Sequence, residues 1–432
     1  MALHLLKLIW NRKRTNLLII TEILLSFIVV AAVSTLGVHY YRNYQRPLGY
    51  SYERIWDVLV RVPRGFESTP EVERERFARM QRLIEAARAM PEVEAVGHLQ
   101  LGLYRNWQWN SDIEANGRRW EYNGNRADDD LAEALSIKVT DGRWFSREDA
   151  GQNWDAVVLN QAMARDIFGD ERAVGQTMPQ GDRANPGDGP AERPQRVVGV
   201  VEDFRQFGEF STPGNYMLVR NDIVAAAQAP PSGAEEGPAT DAGSRDPLRT
   251  QAQLPGVLAV RVRPGVTADF EERLLKTLQA TAPDWSYGMQ PLENLRSNYN
   301  RTNYLTMLAV LGLLAGFLVV MVALGLSGVL WQNVTQRIRE LGLRRAKGAN
   351  RVRIRQQIFI ELALMTGIAI AGGLLLLVQV PVMGWLGPVP TSTFATALVL
   401  SIAGILLLTA FCGWYPSLLA TRVPPAEALR YE

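Results

Sequence analysis

The segment Arg337–Arg355, RIRELGLRRAKGANRVRIR, lies between two long uncharged apolar runs and constrains the fold of this chain more than any other feature. Its Arg337, Arg339, Arg344, Arg345, Lys347, Arg351, Arg353 and Arg355 face a single acid, Glu340. Membrane proteins keep Lys and Arg in their short cytoplasmic loops, so this segment reads as such a loop and orients everything around it.

Reading outward, Tyr304–Leu330 carries no charge, and neither does Leu362–Ala420, which is broken by Pro381, Pro388 and Pro390 with Gly384 and Gly387 between them. A spanning helix needs about 20 apolar residues, so the second stretch divides into two helices joined by a turn. Leu17–Val38 is apolar apart from Glu22 and follows Lys7, Arg12, Lys13 and Arg14. The expected fold class is therefore an α-helical membrane protein with four transmembrane helices, at 17–38, 304–331, 358–380 and 394–416. The basic loop occupies 332–357, an external turn without basic residues 381–393, and a tail 417–432, with both termini cytoplasmic. The first run is about twice the length of a signal-peptide core and is expected to remain as an anchor. Before it, 1–16 has Leu5, Leu6, Leu8, Ile9 and Trp10 against Lys7, the pattern of a short amphipathic helix on the membrane lipids of the inner leaflet.

Four spans leave 39–303 as one large external insertion, long enough for its own core. Cys412 is the sole cysteine and falls in the last span, so the insertion has neither disulfides nor a cysteine metal site. Ile55–Val62 alternates like a strand, Pro70–Met90 is a charged amphipathic helix and Val93–Leu101 a second strand. The order recurs in Val257–Val262, Ala268–Thr281 and Trp285–Pro291, which predicts an α+β domain made of a split βαβ repeat (50–100 and 256–300) with antiparallel pairing between its halves. The insert at 101–255, with strand-like Trp107–Trp109, Arg119–Tyr122, Ala156–Leu159 and Arg196–Val201, is expected to be β-rich. Pro179–Gln195 and Ala225–Gly256 are rich in Pro, Gly, Ala and acids and are read as long loops that cannot offset their ordering entropy.

No chemistry of catalysis is legible. The chain has no G-x-x-x-x-G-K-S/T, H-E-x-x-H or G-x-S-x-G, and His4, His39 and His98 are too dispersed for a metal site. The Asp128–Asp130 carboxylates read as a solvated turn, and Glu22 and Glu361 as groups reaching headgroups or nearby arginines. The basic blocks are pinned beside membrane helices, so a nucleic-acid partner is not expected. In the second span Gly312 and Gly316 form a G-x-x-x-G step, with Gly325 and Gly328 further on; such steps serve contact with a helix of the same chain or a seam between two copies.

The loop sequence Arg337–Asn350, followed by Phe359-Ile360-Glu361, resembles the cytoplasmic loop of MacB/FtsX-type ABC transporter permeases, written E-I-G-L-R-R-A-x-G-A. Tyr415-Pro416-Ser417 and the ending Val423–Glu432 are similar to the terminal P-x-x-A-L-R-Y-E pattern, and Val157–Gln161, Phe168-Gly169, Val174–Gln176 and Val198–Phe204 to the periplasmic core domain of the same permeases. The resemblance implies a periplasmic domain with a porter-like repeat and a sabre-like β-rich subdomain. It implies a bacterial inner-membrane permease subunit, itself non-catalytic, that couples ATP hydrolysis by a separate ATPase to movement of the periplasmic domain, for export of a peptide, a drug-like molecule or a lipoprotein. Arg337, Glu340, Leu341, Gly342, Leu343, Arg344, Arg345, Gly348 and Ala349 would dock the ATPase. The implied partners are two ATPase copies, a second permease chain, identical or related, and a periplasmic adaptor with an outer-membrane channel; no cofactor is bound directly, and ATP with magnesium belongs to the ATPase. A regulator of a periplasmic cell-wall hydrolase and a membrane-anchored sensor without ATPase are the alternatives. Lys347, where the pattern commonly has leucine, and the two Pro/Gly/Ala-rich segments depart from the family.

Overall fold

The computed structural model describes residues 13–63, 69–179, 193–228, 253–266, 269–336 and 351–420. The chain divides into two compact units, 1–42 with 305–432, and 43–304.

The first unit is helical: α1 (Lys13–Tyr44), and further along the chain α8 (Thr306–Gln336), α9 (Arg351–Leu377), α10 (Gln379–Val382) and α11 (Thr391–Ala420). Among the described residues, four helical segments are long and apolar enough to cross a membrane: Ile19–Tyr44, Leu292–Gly328, Phe359–Val382 and Thr391–Trp414. Their apolar residues pack inward as Ile19, Ile23 and Phe27 of α1, Val322 and Leu326 of α8, Met365 and Ala369 of α9, and Ile405 and Cys412 of α11. Hydroxyls that would be stranded in lipid bond back to their own helices, as Thr35 Oγ1 to the Ala31 carbonyl (2.7 Å) and Ser401 Oγ to that of Ala397 (2.7 Å). The turn after α10 runs through Gly384 and Gly387, both at positive φ (71° and 56°) as the Gly/Pro pattern anticipates. Arg42, near the end of α1, donates to Thr393 Oγ1 (2.9 Å) and Thr396 Oγ1 (2.8 Å) at the start of α11.

Glycine lets these helices approach. A methyl on Gly373 would fall 2.5 Å from the Phe27 ring, and one on Gly325 2.2 Å from Glu22 Oε1. Glu22 thus turns inward onto α8 instead of toward headgroups, because Gly325 leaves room for its carboxylate.

The second unit is built on a ten-stranded sheet: β1 (Ile55–Arg61), β2 (Val93–Leu99), β3 (Trp109–Ala115), β4 (Arg118–Ala127), β5 (Val139–Gly142), β6 (Asp155–Asn160), β7 (Gln195–Val201), β8 (Asn215–Arg220), β9 (Val257–Val262) and β10 (Ser286–Pro291). Strand order is β10-β1-β9-β2-β4-β8-β6-β7-β5, with β3 paired to β4. The two βαβ halves interleave: β1 lies antiparallel between β9 and β10 (Val58 opposite Leu258 and Met289), and β9 also pairs antiparallel with β2. The helices of the repeat, α2 (Pro70–Arg88) and α6 (Asp269–Thr281), cover one face, where Trp56, Val58 and Val60 meet Phe77, Met80 and Leu83 of α2 and Phe270, Leu274 and Leu278 of α6. Helix α2 starts where the sequence dictates: Thr69 Oγ1 accepts the Val72 N–H (3.3 Å), Pro70 opens the first turn and Glu71 and Glu73 lie in it.

The β-rich insert continues the same sheet and meets the repeat at one β2–β4 register pair, Leu99 opposite Ala127. It contains parallel pairs, β4 with β8 and β6 with β7, which no local pattern announces. Short helices α3 (Leu131–Leu135) and α4 (Gln161–Phe168) accompany it, and its own core gathers Val157, Leu159, Met163, Ile167, Val197 and Met217. Trp107, expected in a strand, is half-exposed in the loop before β3. Ile223–Gln228, partly read as loop, forms helix α5, because Ile223, Ala226 and Ala227 pack on the α2/α6 face of the sheet. Of the two expected long loops, 180–192 and 229–252 lie outside the described residues. The helix Leu292–Asn300 (α7) passes through a π-helical turn, Arg301–Leu305, directly before α8.

Candidate functional site

The loop that follows β7 builds a buried polar cluster in the α/β unit. Asp203 opens it by accepting the Phe204 N–H (2.8 Å), the short side chain bonding its own backbone to turn the chain. The Asn160 amide approaches the same carboxylate (3.3 Å) while Asn160 Oδ1 caps α4 at the Met163 N–H (3.1 Å) and accepts the Tyr216 N–H (3.0 Å). Phe204 then buries its ring between Tyr50 and Tyr216, with centroids 5.4 and 4.9 Å away.

Arg205 follows, only 3 % exposed. Its guanidinium meets four carbonyl oxygens, those of Asn43 (2.7 Å), Arg46 (3.4 Å), Glu209 (2.5 Å) and Ser211, and its backbone N–H donates to the Leu48 carbonyl (3.1 Å). Burial pulls the Arg205 pKa below its ordinary value, opposed by the Asp203 and Glu209 carboxylates. Burial likewise pushes the Asp203 carboxyl up, against the Phe204 N–H, the Asn160 amide and Arg205. Five donors in a fixed fork make arginine the side chain that can satisfy several carbonyls at once.

Gln206 donates to the carbonyls of Gly102 (3.2 Å) and Trp107 (3.0 Å) and accepts the Tyr216 hydroxyl (2.7 Å). Glu209 Oε1 accepts from Arg296 Nε (2.5 Å), and the Arg296 guanidinium stacks 4.2 Å over the Tyr52 ring. Glu209 Oε2 and the nearby Asn300 Oδ1 are buried without a protein partner among the described residues. Phe210 places its ring between Tyr44 (5.5 Å) and Tyr304 (5.6 Å), and its carbonyl accepts from Asn43 Nδ2 (3.2 Å). One loop thus touches the last residues of α1 and the helix that leads into α8. These contacts position and bind; the loop holds no nucleophile paired with a base, and among the described residues no group of His, Cys, Asp or Glu is arranged to hold a metal.

The remaining sequence-derived candidates fall as follows. Arg337, Glu340, Leu341, Gly342, Leu343, Arg344, Arg345, Gly348 and Ala349 lie outside the described residues. Gly325 receives Glu22, whereas a methyl on Gly312, Gly316 or Gly328 would meet nothing within 4 Å among them. Of the Asp128–Asp130 turn, Asp130 is half-exposed and takes Arg88 at 2.5 Å, whereas Asp128, 3.1 Å from His98 Nδ1, and Asp129, which takes Arg220 Nε at 2.7 Å, are more withdrawn from solvent than the sequence suggests. In an open hollow lined by Glu94, Glu133, Ser136, Arg261 and Arg263, Glu94 is engaged with Arg54 (3.3 Å) and Arg261 Nε with the Ala134 carbonyl (2.7 Å). Sequence reasoning missed Arg205, Glu209 and Arg296. The only local signal was an arginine and a glutamate in a short aromatic-rich loop, Phe204–Phe210.

Comparison with known proteins matches the chain in two parts. A family described as the MacB-like periplasmic core domain matches residues 17–277, and one described as the FtsX-like permease C-terminal region matches 307–425. The macrolide export ATP-binding/permease protein MacB of Chlorobium luteolum is 24 % identical over 368 residues, 82 % of this chain and 47 % of that protein. MacB of Aggregatibacter actinomycetemcomitans is 27 % identical over 253 residues, 56 % of this chain and 32 % of that protein. The ABC transporter permease YvrN of Bacillus subtilis is 23 % identical over 71 % of this chain and 69 % of its own length. The chain spans about half or less of the length of these two MacB relatives. Among solved structures, the periplasmic region of MacB from Actinobacillus actinomycetemcomitans aligns with a TM-score of 0.35 at 14 % identity, covering 60 % of this chain and 97 % of that one. With the core-domain match spanning more than half of its residues and the permease match beginning at its second apolar helix, the chain belongs to the MacB/FtsX-type family of ABC transporter permeases.

Proposed function

We propose that the chain is the membrane subunit of an ATP-driven machine in the bacterial inner membrane, in which hydrolysis by a separate ATPase moves the periplasmic domain to extrude a peptide, a drug-like molecule or a lipoprotein. The observation that carries this reading is the presence, in one chain, of a MacB-like core domain and an FtsX-like permease region, with the α/β unit lying between the first and second of four apolar helices. In this reading, which the lack of a P-loop motif in the sequence supports, nucleotide and magnesium are held by the partner and this chain's part is to transmit motion. Both termini face the cytoplasm, where the basic segment Arg337–Ala349 docks the ATPase, with Glu340 four residues before Arg344 in the favourable order for a helical pair. Two ATPase copies serve two permease chains, and a periplasmic adaptor with an outer-membrane channel receives the cargo.

Reversing Arg344 and Arg345 together to Glu is expected to weaken ATPase capture on the order of a hundredfold, since like-charge contacts cost several kcal/mol. Pull-down of the solubilised chain, with ATP hydrolysis assayed in the eluate, measures this; the wild-type chain emerging without any ATPase would refute the reading. Gly312 and Gly316, at which an added methyl would meet nothing within 4 Å among the described residues, are assigned to the seam with the second permease. Gly316→Leu is therefore expected to shift the chain from pairs to single copies by native mass spectrometry, with hydrogen exchange in the α/β unit unchanged.

A further inference from the structure

The loop after β7 has more contacts with the helix ends than a connection between strands requires. Its N-terminal half is anchored in the sheet: Phe204 packs on Tyr216 of β8, Gln206 bonds the Tyr216 hydroxyl, and Asp203 is held by the residue that caps α4. From this anchored base, three consecutive features reach outward. Arg205 bonds the carbonyls of Asn43, in the last turn of α1, and of Arg46 just beyond it. Glu209 holds Arg296 in α7, and Phe210 stands between Tyr44 at the end of α1 and Tyr304 in the π-helical turn before α8. The two arms are joined to each other, because Arg205 also bonds the carbonyls of Glu209 and Ser211. Consistently, the compact α/β unit begins at Asn43 and ends at Tyr304, so it takes the end of α1 and the turn before α8 into its own body.

We infer that Arg205, Glu209 and Phe210 form a single joint that locks the outgoing end of the first span and the incoming end of the second to the ten-stranded sheet, so that displacement of either helix end is delivered to β7 and β8 together. The transmission role rests on the ATP-driven reading above; the joint itself does not. Two features suit the segment to move as a body without being welded. Among the described residues Glu209 Oε2 and Asn300 Oδ1 have no protein partner, so part of the junction is open to exchange of bonds. The π turn supplies a wide helical turn of the kind found at functional positions.

The experiment uses hydrogen exchange on the full chain in lipid nanodiscs, first alone and then with its ATPase. Phe210 is half-buried and Glu209→Gln preserves shape, so both Phe210→Ala and Glu209→Gln are expected to leave protection in β4, β6 and β9 unchanged. Each is expected to speed exchange about tenfold at the end of α1 and also in α7 through the π turn, because opening one arm releases the other. Glu209 makes its side-chain bond to α7, so a Glu209→Gln effect confined to α7, with amides 43–46 unchanged, would overturn the joint. With the ATPase and ATP present, the wild-type chain is expected to change protection in β7 and β8, and the variants to bind the ATPase equally well yet lose most of that change. Variants that still transmit it would also overturn the inference. Helix ends that loosen together in a chain insensitive to ATP would instead uphold the joint and refute the ATP-driven reading.

Discussion

Arg105→Ala is expected to destabilise the α/β unit by about 3 kcal/mol at pH 7.5 and by about 1 kcal/mol at pH 5, the behaviour of a buried carboxylate stripped of its counter-charge. Asp57 lies in the middle of β1, 2 % exposed, and its carboxylate is paired by the Arg105 guanidinium. Burial pushes the Asp57 carboxyl up to about 6 despite the opposing pull of Arg105. In an unfolded chain the same group titrates near ~3.9. The folded state therefore binds this proton more tightly than the unfolded one. Stability from this group is fully present below about 4, is lost as pH rises through about 6, and stays lost at neutral pH. Without Arg105 the carboxyl moves higher still, so the added cost is greatest at pH 7.5 and vanishes once the group takes up its proton. Thermal unfolding of the solubilised chain, followed by exchange in Ile55–Arg61, should drop by about 10 °C at pH 7.5. Adding Asp57→Asn to Arg105→Ala should restore most of the loss at pH 7.5, because it removes the uncompensated charge. An equal loss at both pH values would mean that Arg105 matters only for packing.

Gly49→Ala is expected to cost about 4 kcal/mol, at the upper end for a single substitution. Gly49 has φ +89°, and a methyl there would lie 1.9 Å from the Asp203 carbonyl oxygen and 2.5 Å from its carbon. Both are backbone atoms, so no side chain can swing aside. The left-handed conformation alone costs an alanine roughly 1–2 kcal/mol. The remainder comes from parting the segment after α1 from the β7 loop, which breaks the Arg205 N–H bond to the Leu48 carbonyl (3.1 Å) and strains that of the Ser51 N–H to Leu135 (2.7 Å). Gly151→Ala is the control: its φ is +74° with open space around it, so it should lose only about 1–2 kcal/mol. Comparable melting temperatures for the two variants would show that the Gly49–Asp203 approach carries no load.

Much of this architecture was legible from local pattern. The apolar helices announced themselves because a backbone in lipid must bond within its own segment, which demands long uncharged runs. The repeat at both ends of the α/β unit was legible because period-two strands flank period-near-four helices, and Thr69-Pro70 marks a helix start without reference to anything distant. Helix α1 nevertheless runs on to Tyr44, past the apolar run ending at Val38, because His39 and Asn43 are buried by contacts that hydropathy does not register. The Asp129 carboxylate looked solvated because Arg220, which holds it, is 91 residues away.

By itself the amino-acid sequence determined the number of apolar helices, the α+β character of the insertion and the family, since each is carried by composition and spacing within a few turns or by short motifs. Only the tertiary structure decided that the insert extends one sheet through a single β2–β4 pair, that β9 separates β1 from β2, and that Glu22 rests on Gly325. It alone brought Arg205 to Asn43 across 162 residues, Arg296 to Glu209 across 87 and Arg105 to Asp57 across 48. Local periodicity reports which face of an element is buried, whereas the partner of a buried charge is chosen by chain closure, when each polar group withdrawn from water must find whichever complementary group the fold delivers.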